Sequence, residues 1–98
     1  MTAQKLKTIL SYDPETGLFT WKHGDEVNVH YRGKPAGSLK KNGYIQISYR
    51  YKKYYAQSLA ILYTTNRLPQ GRVRHINNKR SDNRLVNLLD RQTGYEYE

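Results

Sequence analysis

Turn-forming residues divide this 98-residue chain into short segments. In residues 13–17 (Asp-Pro-Glu-Thr-Gly), proline presets φ and glycine accepts the left-handed conformation. Asn42-Gly43 is the strongest short signal for a β-hairpin, and Pro69 and Gly71 prevent a helix from continuing past them. Since only 37% of the residues are apolar, the core must be thin. We therefore predict a small α+β fold of short helices and antiparallel strands.

The N-terminal third, residues 1–33, is predicted to contain a helix, a turn and a strand. Apolar side chains at helical spacing predict an amphipathic helix over residues 3–11. Residues 18–21 alternate as a strand whose Phe19 and Trp21 we expect in the core. The rest of this third, from Lys22 onwards, is polar and aperiodic, which predicts a loop.

The middle third, residues 34–65, is predicted to form a three-stranded antiparallel sheet followed by a helix. Residues 44–49 alternate cleanly after the Asn-Gly turn. We expect residues 50–53 to turn the chain and residues 54–56 to continue the sheet. The dense apolar run that follows predicts a helix over residues 57–65.

The last third, residues 66–98, is predicted to be a strand, a loop and a helix. The strand covers residues 72–76, and residues 77–82 are rich in turn formers. Leucines at positions 85, 88 and 89 have helical spacing and predict a helix over residues 83–91.

Positive charge is concentrated beyond residue 31. The chain carries a net +9, but residues 1–31 sum to −1 and residues 32–98 to +10. Such an imbalance attracts polyanions, and basic residues interleaved with ten tyrosines suit a nucleic-acid surface. We expect double-stranded DNA as the partner. The candidate contacts are Arg32, Lys34, Lys40, Lys41, Lys52, Lys53, Arg72, Arg74, Lys79, Arg80 and Arg84.

Two features of the composition exclude other classes of function. Without cysteine the chain has no disulfide, no thiolate zinc site and no cysteine nucleophile. No apolar stretch is long enough for a membrane helix, and the N-terminus lacks a hydrophobic signal core. We therefore expect a soluble, intracellular protein with no membrane partner.

The segment that can carry chemistry is residues 72–91. The predicted elements put His75 at a strand end, Asn83 near the start of the next helix and Asn87 on that helix. A neutral imidazole can activate water for attack on a phosphodiester, and an amide can fix the imidazole tautomer. A hard divalent cation would normally assist, and such ions prefer carboxylate oxygen. A purely structural, hydrogen-bonding histidine is the alternative.

Five ordered blocks of sequence resemble the small HNH endonucleases of phage, the group that includes homing endonucleases with an AP2-like sheet. These blocks are Tyr12-Asp13-Pro14-Glu15-Thr16-Gly17-Leu18-Phe19-Thr20-Trp21, Ala36-Gly37-Ser38, Gly43-Tyr44, Leu59-Ala60-x-Leu62-Tyr63, and His75-Ile76-Asn77 with Asp82-Asn83-Arg84-x-x-Asn87-Leu88. The resemblance covers about residues 6–93.

The resemblance implies one compact unit in three parts. Residues 1–33 would form the N-terminal helix, turn and strand, residues 34–65 the AP2-like sheet and helix, and residues 66–98 an HNH-like ββα-metal finger and tail. His75 would be the general base, with Asn83 in the loop and Asn87 bracing the finger. Mg²⁺ or Mn²⁺ would be the cofactor of an active enzyme, and the cytoplasm of an infected bacterium its location.

The chain departs from this family pattern where a metal would bind. The family usually has Asp immediately before its catalytic His, whereas this chain has Arg74. A guanidinium in that place repels a dication, and Glu96 in the tail is the candidate replacement carboxylate. Four further family positions also differ, and they hold Gln57, Ser58, Ile61 and Leu89.

These observations favour an HNH-like DNA-binding protein whose metal-dependent cleavage is weakened or lost. Two alternatives remain open at this point. One is an active HNH endonuclease that uses His75 as its base. The other is a repurposed phage effector that binds and inhibits a host protein through its basic, aromatic surface.

Overall fold

Three small antiparallel sheets and two helices make up the part of the chain that the structure describes. The structure is a computed structural model, and it describes residues 1–90 and 95–96, with positions 90, 95 and 96 given by backbone alone. Each sheet has three strands, and the strands of each sheet follow one another in chain order. The predicted α+β class is confirmed.

The first sheet follows directly on the N-terminal helix. It contains β1 (Leu10–Asp13), β2 (Leu18–Trp21) and β3 (Pro35–Ala36). The predicted strand is β2, and its Phe19 and Trp21 are buried as expected. No helix or strand lies between β2 and β3 up to residue 34, in agreement with the predicted loop.

The two helices are short. Helix α1 (Ala3–Ile9) begins at an N-cap in which Thr2 accepts a hydrogen bond from the backbone of Lys5 (3.1 Å). It ends before the predicted residue 11, because Leu10 is already extended and pairs with Trp21 in the sheet. Helix α2 (Ala56–Thr65) ends at Asn66, which has the left-handed conformation. Within the described residues, neither helix is long and apolar enough to cross a membrane.

The second sheet is the predicted three-stranded sheet. It contains β4 (Ser38–Leu39), β5 (Ile45–Tyr49) and β6 (Lys52–Tyr55). The turn between β5 and β6 is tighter than predicted, because Tyr49 already pairs with Lys52. Only Arg50 and Tyr51 form the turn, and Lys52 and Lys53 belong to β6.

The predicted helix over residues 83–91 is wrong. A single 3₁₀ turn (Leu85–Asn87) is followed by β8 (Leu88–Asp90), which pairs with β7 (Val73–His75). The backbone of β9 (Tyr95–Glu96) completes this third sheet. Leu85 and Leu88 are buried as the leucine spacing required, but a 3₁₀ turn entering a strand buries them equally well. The helix of a ββα finger is therefore not found at residues 83–90.

One hydrophobic core joins all three sheets. The first helix contributes Leu6 and Ile9, and the second sheet contributes Ile47. Val73 of β7 and Leu88 of β8 belong to the same cluster, so the third sheet packs on the rest of the protein. This shared core fixes His75, at the end of β7, relative to the other two sheets.

Candidate nucleic-acid interface

A polar cleft lies beside β7, between the third sheet and the start of β5. We call it the arginine cleft; its volume is about 250 Å³. It is lined by Tyr44, Arg72, Val73, Arg74, His75, Asn78 and Arg80. The rings of Tyr44 and His75 are 6.0 Å apart, and the Arg80 guanidinium lies 4.9 Å from the centroid of the Tyr44 ring. Arg80 also donates a hydrogen bond to the carbonyl of Asn42 (2.9 Å), which holds its side chain in place.

His75 is buried, and its ring is held by Asn83. The His75 Nε2 and the Asn83 Oδ1 are 2.8 Å apart, and both side chains are almost fully buried. Because an amide oxygen only accepts, Nε2 carries the proton and donates it. In the neutral ring Nδ1 then keeps its lone pair. The sequence analysis predicted this pairing of an imidazole with an amide.

The N-terminal turn positions Asn83. The hydroxyl of Tyr12 donates to the backbone carbonyl of Asn83 (2.6 Å), and Leu85 N donates to the carbonyl of Pro14 (3.0 Å). Gly17 has φ +76°, and a Cβ there would lie 2.4 Å from the carbonyl carbon of Asn83. The residue 13–17 turn is therefore in direct backbone contact with the loop that holds His75.

Tyr12 is a protonated donor in this contact. Its side chain is buried at the junction of β1 and the loop. Burial first, and then the carboxylates of Asp13 and Asp82, raise the pKa of Tyr12 well above its usual range. The phenol therefore donates to Asn83 throughout the physiological pH range.

Asn87 braces the loop that connects β7 to β8. Its Oδ1 accepts from Asn77 N (2.9 Å), and its Nδ2 donates to the Asn77 Oδ1 (2.9 Å) and to the Asp82 carbonyl (2.8 Å). The backbone carbonyl of Asn87 accepts from Ile76 N (2.8 Å). These are the contacts of a bracing residue, made from a 3₁₀ turn and not from the expected helix. The side-chain hydrogen bonds of Asn87 are made to the loop, whereas the side chain of Asn83 contacts His75.

The Asp82 carboxylate is fully engaged within the same loop. The side chain of Arg84 binds it through two hydrogen bonds, from Nε (2.9 Å) and Nη2 (2.8 Å). The Arg84 backbone N donates a third (3.3 Å), and the side chain of Asn77 donates a fourth (2.9 Å). The hydrogen bonds from Arg84 hold the pKa of Asp82 well below its usual range, although partial burial opposes this shift. Arg84 is therefore paired with a carboxylate in the free protein.

We expect Asp82→Asn to destabilise the protein at neutral pH, and the difference from wild type to shrink in acid. Because the folded pKa of Asp82 is below its unfolded value of about 3.9, the carboxylate stabilises the fold above that pH and loses this effect as pH falls through the folded value. Urea unfolding of both proteins, from about pH 7 down to about pH 3, measures the difference. A gap that widens in acid would contradict this assignment.

The structure distributes the eleven predicted contact residues over several places. Arg72, Arg74 and Arg80 line the arginine cleft. Arg84 is bound to Asp82, and Arg32 is half-buried with its Nε bonded to a backbone carbonyl (2.9 Å). Lys34, Lys40, Lys41, Lys52, Lys53 and Lys79 are exposed. The arginine cleft is thus where three of the eleven predicted cations meet His75.

Tyr44 is a residue of the cleft that the sequence analysis did not select as a site residue. It contacts both His75 and Arg80, and its ring also packs against that of Tyr55 in a tilted arrangement (5.2 Å between centroids, 55° between planes). Its position directly after Asn42-Gly43 was the available signal, because a side chain beside a tight hairpin turn is presented at the end of the sheet.

The residues that line the arginine cleft do not suit a divalent cation. They include three guanidinium groups and no carboxylate, while Mg²⁺-type ions take several oxygen ligands. Elsewhere in the described residues no three His, Asp or Glu side chains come together as a metal site. Glu96, the candidate replacement ligand, is described only by its backbone in β9, so its carboxylate lies outside the described structure.

Comparison with known proteins gives no relative for this chain. No family model matches the sequence, and neither a curated protein nor a solved structure matches it at significant similarity.

Proposed function

We propose that this chain is an HNH-endonuclease-like DNA-binding protein whose metal-dependent cleavage is weakened or lost. The observation that carries the proposal is the arginine cleft, in which three arginines surround a buried histidine without any carboxylate. Guanidinium groups bind phosphate oxygens through paired, charge-assisted hydrogen bonds. The cleft therefore suits a phosphodiester better than it suits a metal ion.

The placement of the cations supports a DNA backbone as the ligand. Arg74 lies in β7 and Arg72 directly precedes it, while Arg80 approaches from the loop and is preorganised by Tyr44 and Asn42. Contacts of this kind position a protein on DNA and give affinity without reading the sequence. We therefore expect binding that depends strongly on salt and weakly on base sequence.

Arg74 is the reason to propose weakened cleavage. It lies directly before His75, where the resemblance to HNH endonucleases places a metal-binding Asp. A positive charge beside a metal position turns attraction for a dication into repulsion. The same guanidinium favours the phosphate, so DNA binding is retained while the metal is disfavoured.

The binding arm of the test is the salt dependence of affinity for a short DNA duplex. We expect log Kd to rise linearly with log salt concentration, and each of Arg72→Gln, Arg74→Gln and Arg80→Gln to lower the slope by about 0.9. Arg67→Gln is the matched control, since Arg67 is exposed but lies outside the cleft. An affinity that is independent of salt, or equal slope changes in all four variants, would refute the proposal.

The cleavage arm tests the active endonuclease, which the place of His75 in the lining of the arginine cleft favours as a second candidate. Plasmid is incubated with the wild type, with His75→Ala and with Arg74→Asp, in Mg²⁺, in Mn²⁺ and in chelator. The proposal predicts no His75-dependent nicking by the wild type and metal-dependent nicking by Arg74→Asp. Wild-type cleavage that disappears in His75→Ala would instead establish the active enzyme.

A further inference from the structure

A second cleft, lined by aromatic side chains, lies at the opposite end of β5 from the arginine cleft. We call it the aromatic cleft; its volume is about 650 Å³. Its aromatic residues are Trp21, Tyr31, Tyr49 and Tyr51. The Trp21 ring stacks on Tyr31 (6.0 Å between centroids, 27° between planes) and lies 6.4 Å from Tyr49. Tyr31 is about half exposed (54%), and Tyr51 is fully exposed.

We propose that the aromatic cleft binds an unpaired nucleobase of single-stranded nucleic acid. The proposal deepens the proposed function and rests on it, since one nucleic acid would contact both clefts. Bases stack on aromatic side chains with little regard to sequence, and each stack contributes substantially to affinity. A base inside a duplex hides its faces, whereas an unpaired base offers them to such a cleft.

The backbone of the β5–β6 turn supports a functional role for Tyr51. Arg50 and Tyr51 have φ of 50° and 66°, so both central residues of this two-residue turn are left-handed. Asn-Gly is the favoured pair in such turns, and bulky residues are strained there. The chain keeps this strain while exposing the whole Tyr51 ring to solvent. A strained residue that presents an aromatic ring points to a binding role.

Charges around the aromatic cleft suit the phosphates that flank a base. Arg50 lies 5.4 Å from the centroid of the Tyr49 ring, and Lys53 also lines the cleft. The single carboxylate among the described lining residues is Glu26, which pairs with Lys5 and with Arg50 (3.8 Å). With two cations on that carboxylate, the cleft has no free negative charge to repel phosphate.

The two clefts lie near opposite ends of β5. Tyr44 directly precedes this strand and Tyr49 ends it, so five residue steps of extended chain, roughly 17 Å, separate the two residues. A nucleic acid that contacts both clefts must cover at least that length.

The test uses Trp21, which is the single tryptophan of the chain. A 10-residue oligothymidylate is titrated into the full-length protein while tryptophan fluorescence is recorded. We expect quenching on binding, because a base entering the cleft stacks beside Trp21 and its neighbours. Tyr51→Gly should weaken binding of this oligonucleotide about tenfold, the lower part of the range for one lost base stack. The loss should be smaller for a duplex of equal length.

The choice of variants distinguishes a loss of binding from a loss of folding. Tyr51→Gly places glycine where φ is +66°, so its Tm should rise and a loss of binding cannot come from unfolding. Tyr51→Phe keeps the ring and should retain most of the affinity. Leu39→Ala is the matched control, because Leu39 is another exposed apolar side chain (64%) of the same sheet, outside both clefts.

The outcomes separate this inference from the proposed function. Absence of quenching, or equal oligothymidylate affinity in Tyr51→Gly and wild type, overturns the nucleobase site. If duplex binding still depends on salt in that case, the proposed function stands and only the inference falls. Failure of the wild type to bind either nucleic acid overturns both. Quenching with a tenfold loss in Tyr51→Gly and none in Leu39→Ala supports the site.

Discussion

Replacing Gly17 by alanine is expected to destabilise the fold by about 3 kcal/mol, from backbone strain at positive φ together with overpacking. The new Cβ would lie 2.4 Å from Arg84 N and from the carbonyl carbon of Asn83. Both are backbone atoms, so the clash is relieved only by moving the turn away from the loop. Because Asn83 holds His75, that movement would also loosen the arginine cleft. Urea unfolding at neutral pH measures the loss of stability.

Gly43→Ala is the matched control for this prediction. Gly43 has φ +88°, but a Cβ there would meet only the side chain of Arg80, at 3.5 Å or more. This variant therefore carries the conformational cost without the clash, about 1–2 kcal/mol. Equal losses in Gly17→Ala and Gly43→Ala would show that close packing of the turn on the loop contributes nothing.

Asn87→Ala is expected to lower the free energy of unfolding by about 3 kcal/mol, since its side chain makes three hydrogen bonds worth roughly 1 kcal/mol each. Their partners are the backbone and side chain of Asn77 and the carbonyl of Asp82. Asn87 is 4% exposed, so water does not replace these bonds without opening the loop. Urea unfolding gives the stability, and hydrogen exchange of the Asn77 amide reports the loop directly.

Val86→Ala is the matched control for Asn87→Ala, because it truncates a neighbouring side chain of the same 3₁₀ turn. Val86 is 56% exposed and precedes Asn87 directly, so its truncation should change stability by no more than about 0.5 kcal/mol. Losses of similar size in Val86→Ala and Asn87→Ala would mean that the turn, and not the amide, braces the loop.

Local signals were enough to predict much of the fold. Alternation identified β2 and β5, and the Asn42-Gly43 pair located the hairpin that precedes Tyr44. These features succeeded because a strand with one buried face and a turn that needs positive φ each leave a residue pattern in their own segment. The dense apolar run of α2 was equally clear, with a boundary one residue away from the prediction.

The helix predicted over residues 83–91 shows where local signals fail. Leu85 and Leu88 are three residues apart, which places both on one side of a helix, but also of a 3₁₀ turn that leads into a strand. The pairing of Leu88 with His75 selects the 3₁₀ turn and strand over the helix. Pairing between two strands that a loop separates produces no recognisable residue pattern in either strand. Strand β1 was not predicted for the same reason, because it is its pairing with β2 that defines it.

The sequence analysis selected His75 and Asn83, but neither Tyr44 nor the contacts that position Asn83. His75 and Asn83 were expected together, and their side chains are 2.8 Å apart. The hydrogen bond from Tyr12 to Asn83 joins residues 71 positions apart in the sequence. A residue pattern within either segment does not predict such a contact. The aromatic cleft was also missed, because its rings come from β2, the loop after it, the end of β5 and the β5–β6 turn. Such a cleft exists only once the sheets have packed.

The shared core sets a limit on how this chain can be rearranged. Val73 and Leu88 are buried against residues from the first helix and the second sheet. A graft of the last third onto another scaffold would expose both side chains, and a chimera would need a host surface shaped to receive them. The loop between β7 and β8 therefore depends on the rest of the protein for its packing. We expect recombination to exchange the whole protein more readily than this loop alone.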